Sequence, residues 1–292
     1  MSVLVLENDC IKASLNTVGG LVESLVCKRT GFDHAWKYDA SIWPRRTALC
    51  FPFCGKCKDG IYTYNGVQYG IPSHGFARER EFGVVLHSTD RLVLQDDYDS
   101  TTLGMYPFEY RLRIEYSLEG FSLVVKYHVS NEGLCTMYYS IGSHYAYQLP
   151  RIQEECYLHF STPQHAGCLD LADGTIKADV LEGRSVVPLA GLIESSSLIL
   201  DLKELDASWV GIGDLEKVFT KVSGEGFRYL LVWAPVGGKN PFVCLEFWDG
   251  MADIGTSSGK IEEKFAVRTL ESGESRSYTQ TIDLEELLCQ TK

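Results

Sequence analysis

Three segments of this chain place reactive side chains beside glycine at points where a strand pattern stops. The first is residues 73–78, in which His74 precedes a glycine and stands four residues before Arg78. A loop with that spacing presents an imidazole and a guanidinium together, and both groups bind polar ligands. The residues alone leave a second interpretation open, namely a surface loop whose histidine is satisfied by its neighbours.

The second segment, residues 140–147, ends an apolar run and is rich in tyrosine. If one strand continues through it, every second residue shares a face. The residues on that face are Thr136, Tyr138, Ser140, Gly142 and His144. Polar groups in these positions favour a cleft over a packed interior. A structural histidine in a tyrosine-rich run is the alternative.

The third segment is the run 242–250. Alternation puts Cys244, Glu246 and Trp248 on one side of a strand and apolar side chains on the other. Burying a carboxylate beside such residues costs free energy unless it is paired with another group or takes part in chemistry. Burial would also raise the pKa of Glu246 towards the range useful for proton transfer. An edge-strand glutamate that faces solvent is the alternative.

The spacing of potential ligands and the motifs of the sequence give little support for a metal or cofactor site. His74, His144 and Glu246 would make a two-histidine, one-carboxylate metal set, but they share no local ligand spacing, and the residues alone leave this question open. Cys54 and Cys57 form a single C-x-x-C with no second pair nearby, whereas a zinc ribbon needs four ligands. Neither a G-x-G-x-x-G nor a P-loop pattern is present.

Period-two alternation of apolar residues dominates the chain and predicts strands. Residues 110–116 and 121–129 alternate cleanly, and the short join that contains Gly120 predicts a β-hairpin. Further strands are predicted at 3–6, 92–95, 137–141, 157–160, 227–233, 243–247 and 278–282. Helical patterns are few, with a brief helix predicted at 283–288 and one helical turn at 201–207.

Strands follow one another closely from end to end, and no linker or repeat divides them. This pattern predicts an all-β fold, a large antiparallel β-sandwich that forms one domain over residues 1–292 with few short helices. Hydrophobic residues make up 45% of the chain and charged residues 23%, which is a globular composition with material for a large core.

The charge balance excludes some classes of partner. Acidic residues outnumber basic ones by 39 to 27, for a formal net charge of −12. Such a field repels nucleic acid and anionic membranes, so neither is expected as a partner. No apolar run approaches the 18 residues of a membrane-spanning helix, and the N-terminus does not resemble a signal peptide. We therefore predict a cytoplasmic protein with reduced cysteines.

Four motifs occur in the order and rough spacing of the aldose 1-epimerase, or galactose mutarotase-like, superfamily, which the chain resembles. They are WPRRTALCFPFCG at 43–55, HGFAR at 74–78, IGSH at 141–144 and CLEFW at 244–248. The likeness is to a bacterial branch often encoded with sugar-utilisation genes, and it covers nearly the whole chain. It implies a β-supersandwich with an open cleft, no metal and no organic cofactor.

The resemblance also implies which side chains do the chemistry. Glu246 is similar to the family's general base and His144 to its general acid, while His74 is similar to a second histidine that holds the ring oxygen or anomeric hydroxyl. The positions similar to sugar-binding residues are Arg45, Arg78 and Asp206. The chain departs from the branch at Ala48 and Tyr145, where proline is usual, and Tyr145 is expected to reshape the sugar pocket.

The function that the resemblance implies is that of an aldose 1-epimerase, a mutarotase that interconverts the α and β anomers of a hexose. The first alternative is a hexose-6-phosphate 1-epimerase, for which the basic residues near Arg78 would receive phosphate; these are Arg45, Arg46, Lys56 and Lys58. The second is a non-catalytic sugar-binding protein on the same fold. The expected partner is a small-molecule hexose or hexose phosphate, and the oligomeric state stays open.

Overall fold

The computed structural model describes residues 2–43, 49–151, 153–192, 197–235, 240–285 and 287–288. The strands of the first half are β1 Val3–Glu7, β2 Ile11–Asn16, β3 Leu21–Cys27, β4 Leu49–Cys50, β5 Ile61–Tyr64, β6 Val67–Gly70, β7 Gly83–His87, β8 Arg91–Asp97, β9 Tyr110–Glu119, β10 Ser122–Asn131, β11 Met137–Tyr139, β12 Ile141–Ser143 and β13 Tyr145–Gln148. Those of the second half are β14 Tyr157–Gln164, β15 Gly167–Leu169, β16 Ile176–Asp179, β17 Arg184–Pro188, β18 Leu198–Asp201, β19 Val210–Gly213, β20 Lys217–Glu225, β21 Tyr229–Trp233, β22 Phe242–Asp249, β23 Arg268–Leu270, β24 Ser275–Asp283 and β25 Leu287–Leu288.

Helices are short in the part of the chain that the structure describes. There are two α-helical segments, α1 Ser100–Leu103 and α2 Leu189–Leu192, and four 3-10 turns at Lys58–Gly60, Ala77–Glu79, Gln153–Glu155 and Ile261–Glu263. In these described ranges, no helix has the length and apolar character needed to cross a bilayer. The all-β prediction with few short helices is confirmed.

The larger of the two main sheets has ten antiparallel strands in the order β17-β14-β19-β20-β24-β10-β9-β8-β7, with β25 on β20. At its centre β9 and β10 form the predicted hairpin, with Leu118 opposite Leu123 and Ile114 opposite Tyr127. The apolar positions of this hairpin are buried and the alternate positions are not, as period-two alternation requires. Gly120 turns the chain with a φ of 59°.

The second main sheet has the order β18-β21-β22-β12-β4, with β13 also on β22. Val243, Leu245 and Phe247 of β22 join the main core cluster, which also contains the inward residues of β9 and β10. Glu246 and Trp248 face the opposite way and line a cleft. The predicted division of this strand into an apolar and a reactive face is confirmed.

Both predicted helices are wrong. The chain forms β24 up to Asp283, buries Leu284 fully, and then continues along β20, where Leu287 and Leu288 pair as β25. A six-residue helix has too few backbone hydrogen bonds to compete with that pairing. At 201–207 the chain makes hydrogen-bonded turns after β18, in which Asp201 Oδ1 accepts from the Lys203 N–H.

The strand predicted at 137–141 is interrupted at Ser140. The segment before it, β11, pairs with β23, whereas the segment after it, β12, pairs with β22 and β4. Ser140 lies between them, donates its N–H to the Pro52 carbonyl and accepts the Cys54 N–H at its hydroxyl. The residues from Thr136 to His144 therefore do not share the single face that an unbroken strand predicts.

Candidate functional site

A cleft of about 860 Å³ lies on the outer face of the six-stranded sheet. Its size falls within the range of roughly 300–1,000 Å³ that is common for small-molecule sites. Strands β21 and β22 form its floor, and the loops around residues 55–59, 73–78 and 252–255 form its walls. His74, Arg78, His144 and Glu246 all line it, so the structure brings together residues from three segments that lie far apart in the sequence.

Glu246 lies in the middle of β22, opposite Leu231 of β21, and is 2% exposed. Its Oε1 is 3.4 Å from Nε2 of His144. Oε2 has no hydrogen-bond partner among the described residues. Burial raises the pKa of Glu246 well above its usual 4.5, and a hydrogen bond from Trp248 offsets this only in part. Burial therefore favours the neutral carboxyl over the carboxylate.

His144 occupies the junction between β12 and β13 and is 5% exposed. The preceding Ser143 fixes this junction, because its hydroxyl accepts the Phe247 N–H and its carbonyl accepts Nε1–H of Trp248. Burial lowers the pKa of His144 well below 6.5, and the nearby charges of His74 and Arg78 lower it further. Burial thus favours the uncharged form of both groups.

Two tryptophans flank this pair. The Trp43 ring stacks on the His144 ring at 5.6 Å and an angle of 21°, and the Trp233 ring meets it edge-on at 6.2 Å. Apolar sugar faces pack on such rings. Sequence reasoning missed Trp233, although alternation along β21 with Tyr229 and Leu231 would have placed it on the cleft face.

His74 is held by an unusual backbone. Its φ is 65° and that of Gly75 is 70°. A Cβ at position 75 would stand 2.1 Å from the Phe51 carbonyl oxygen, so only glycine fits there. His74 Nδ1 accepts the Gly55 N–H at 3.2 Å and lies 3.1 Å from Cys50 Sγ. An Nδ1 that accepts leaves the ring proton on Nε2, so His74 offers the cleft an Nε2–H donor.

Arg78 lies in the 3-10 turn after His74, and its side chain is only 7% exposed. Its Nε is 3.7 Å from the exposed Glu79 carboxylate. A guanidinium this deep in the cleft binds sugar hydroxyls or an anionic group equally well by its geometry. Lys56, Lys58, Asp59 and Asp253 line the wall near it, and of these four only the two lysines were predicted from the sequence.

The predictions for Arg45, Asp206 and Tyr145 have other outcomes. Arg45 lies outside the described residues. Asp206 is on the exposed loop between β18 and β19, where its N–H donates to Gln164, and it is not among the residues that line the cleft. The expected effect of Tyr145 on the sugar pocket is wrong, because the residue pairs with Leu245 on the core face and its hydroxyl contacts that of Tyr127. A position next to His144 points to the opposite face of the sheet.

Cys244 joins His144 and Glu246 in a buried group whose potential ligand atoms all lie within 4.8 Å of one another. The trio considered from sequence contained His74 instead, and in the described residues no second group of this kind occurs. Burial raises the pKa of the Cys244 thiol well above 9.0, and the Glu246 charge raises it further. A metal ion at this group would have to displace the thiol proton, since the thiolate is the form that binds metals.

Comparison with known proteins identifies the family of this chain. A family model described as aldose 1-epimerase matches residues 2–208. This span contains His74, Arg78 and His144, whereas Glu246 lies beyond it. The chain is 26% identical over 287 residues to the plasmid protein LacX of Lactococcus lactis subsp. lactis, a match that covers 89% of this chain and 91% of LacX.

Solved structures share the fold. A galactose mutarotase-like protein from Lactobacillus casei ATCC 334 superposes with a TM-score of 0.89 at 23% identity, over 97% of this chain and 100% of that one. Galactose 1-epimerase from Lactobacillus acidophilus NCFM superposes with a TM-score of 0.72 at 13% identity, over 97% of this chain and 93% of that one. At these identities the likeness shows the β-supersandwich fold and nothing finer.

Proposed function

Because this chain belongs to the aldose 1-epimerase family, we propose that it is an isomerase that interconverts the α and β anomers of a hexose by opening and closing the sugar ring. The observation that carries the proposal is the buried Glu246–His144 pair in the cleft, whose facing atoms are 3.4 Å apart. Ring opening needs one group that removes a proton from O1 and another that delivers a proton to O5.

The pair can provide both the base and the acid if it holds one transferable proton, which starts on Glu246. Transfer of that proton from Glu246 to His144 gives a carboxylate and an imidazolium, charges that the hydroxyls of a bound sugar solvate. The carboxylate then takes the O1 proton as the C1=O1 bond forms, the C1–O5 bond breaks, and O5 takes the proton of the imidazolium. After rotation about C1–C2, each proton returns and the ring closes as the other anomer.

The remaining residues of the cleft hold the sugar. His74 donates its Nε2–H to the ring oxygen or the anomeric hydroxyl, and Arg78 donates to neighbouring hydroxyls. Trp43 and Trp233 offer ring faces for the apolar side of the pyranose. No electron or group leaves the substrate, so we propose that the reaction needs neither a metal nor an organic cofactor.

Polarimetry tests the proposal directly. Freshly dissolved α-D-glucose and α-D-galactose are followed to their equilibrium rotation with and without the protein, at a pH where spontaneous mutarotation is slow. We expect the protein to accelerate the change for at least one of them. Binding of these sugars in calorimetry with no acceleration would contradict the proposal and favour a sugar-binding protein on the same fold.

A second candidate is a hexose-6-phosphate 1-epimerase. It is favoured by Lys56, Lys58 and Arg78, which line one wall of the cleft, and no ion pair engages the two lysines within the described ranges. Asp59 lines the same wall and opposes a phosphate, whereas Asp253 is already paired with Lys264. We retain the neutral hexose as the first choice for this reason.

A further inference from the structure

A second cavity of about 330 Å³ lies beside the cleft. Leu231 of β21 lines the cleft, whereas Tyr229, two residues earlier on the same strand, lines the second cavity. Residues two apart in a strand point to the same face and stand roughly 6.6 Å apart. The two cavities are therefore immediate neighbours on the outer face of the six-stranded sheet.

One apolar floor runs beneath both cavities. The smaller hydrophobic cluster of the protein contains Leu169, Ile199, Tyr229, Leu231 and Trp248, with Phe265 packed against it. Ile199, Leu231 and Trp248 belong to the cleft, and Leu169, Tyr229 and Phe265 belong to the second cavity. A ligand that leaves the cleft along β21 thus meets continuous apolar and aromatic surface.

The polar groups of the second cavity are two arginines, each already paired with an aspartate. Arg228 donates from Nε and Nη2 to Asp201, and Arg268 donates from Nε and Nη2 to Asp249. Within the part of the chain that the structure describes, Nη1 of both guanidinium groups has no hydrogen-bond partner. Each guanidinium charge is offset by its own aspartate, so the cavity offers fixed donors and attracts an anion less strongly than two unpaired arginines would.

Rigid guanidinium donors, the Asp201 carboxylate and the rings of Tyr229 and Phe265 suit a neutral sugar ring with several hydroxyls. We propose that the second cavity is a subsite for the next sugar ring of a reducing disaccharide or longer oligosaccharide, whose reducing end lies against Glu246 and His144. This inference rests on the proposed function. It makes the reducing end of a glycan, rather than a free hexose, the preferred substrate.

The test compares mutarotation of D-glucose and D-galactose with that of maltose, cellobiose, lactose and isomaltose. At least one disaccharide is expected to show a kcat/KM about tenfold or more above that of its free reducing-end hexose, which corresponds to about 1.4 kcal/mol. Ile176, which is 53% exposed at the mouth of the second cavity, provides the blocking variant Ile176→Trp. We expect it to abolish the advantage and to leave the hexose values unchanged.

Matched variants separate blocking from a general effect of a new tryptophan. Val67→Trp makes a similar change at a strand residue that is 52% exposed and lines neither cavity, and it is expected to alter neither substrate. Arg228→Lys keeps a cation beside Asp201 but removes the free Nη1, and it is expected to lower the disaccharide value alone. Disaccharides that are no better than hexoses, or an advantage that survives Ile176→Trp, would overturn the subsite.

Binding measurements distinguish failure of the subsite from failure of the proposed function. If the protein accelerates no mutarotation, calorimetry with the same sugars still reports on the second cavity. Tighter binding of a disaccharide that Ile176→Trp removes would then retain the subsite and reject the epimerase. Hexose turnover without any disaccharide preference would retain the epimerase and reject the subsite.

Discussion

At the scale of single residues, the Glu246–His144 pair determines whether this cleft is catalytic. Glu246→Gln and His144→Asn each remove one proton-transfer group while they keep size and polarity. We expect each to lower kcat on the sugar that the wild type converts by about 10²–10⁴-fold. Polarimetry measures the loss, and thermal unfolding checks the fold.

Two matched variants control for this experiment. Glu119→Gln and His87→Asn make the same chemical changes at exposed positions outside the cleft. We expect both to retain full activity. Near-normal turnover in Glu246→Gln and His144→Asn would reject the assignment of the pair.

The raised pKa of Glu246 also affects stability. The native state keeps this proton at pH values where the unfolded chain, with the usual pKa of 4.5, has lost it. The native state then binds more protons than the unfolded state, so this residue lowers the free energy of unfolding as pH rises above about 4.5. Glu246→Gln removes the effect.

Urea unfolding of wild type and Glu246→Gln at pH 4.5 and pH 7.5 measures this coupling. Relative to wild type, we expect the variant to gain stability at the higher pH. A difference between the two proteins that does not change with pH would mean that the carboxyl is not buried as a neutral group.

The cluster of Cys244, His144 and Glu246 raises the question of a metal. Since the proposed reaction needs only proton transfer, we expect activity to survive dialysis against a strong chelator and to be little changed in Cys244→Ser. Metal analysis before and after dialysis accompanies the assay. Activity that disappears and returns with one ion would favour metal chemistry at these three residues instead.

At the scale of elements, the turn that carries His74 depends on the close approach of Gly75 to the Phe51 carbonyl. Gly75→Ala is expected to destabilise the protein and to lower kcat/KM on every sugar, since His74 moves with the turn. Gly66→Ala is the matched control, because Gly66 has a similar φ of 76° but nothing within 4 Å of an added Cβ. We expect Gly75→Ala to cost about 1–3 kcal/mol more in the free energy of unfolding. Equal losses with full activity in both would show that the close approach does not hold His74.

At the scale of the whole molecule, the net charge of −12 opposes anionic substrates, whereas the cleft wall with Lys56, Lys58 and Arg78 attracts them locally. We expect kcat/KM for glucose or galactose to stay within a hundredfold of that for the 6-phosphate, which corresponds to about 2.7 kcal/mol. Arg78→Ala is expected to impair both. A larger preference for the phosphate that collapses in Arg78→Ala would favour the hexose-6-phosphate epimerase.

The sequence by itself determined the strands whose apolar residues alternate, because alternation records which face of a strand is buried. The hairpin of β9 and β10 and the reactive face at Glu246 follow from that local pattern. The motifs at His74 and His144 could also be recognised from the sequence, because their residue types and order resemble those of a known family.

Only the tertiary structure decided the features that depend on partners distant in the chain. The strand at 137–141 breaks at Ser140 because the Pro52 carbonyl and the Cys54 N–H reach it from a loop more than 80 residues earlier. Leu287 and Leu288 form a strand because β20 offers them an open edge. Asp206 lies outside the cleft, and a distant residue also fixes its position, since its backbone N–H donates to Gln164. The spacing of residues within one segment does not predict such contacts. Hydrogen bonds and packing across sheets form between segments that are distant in the sequence.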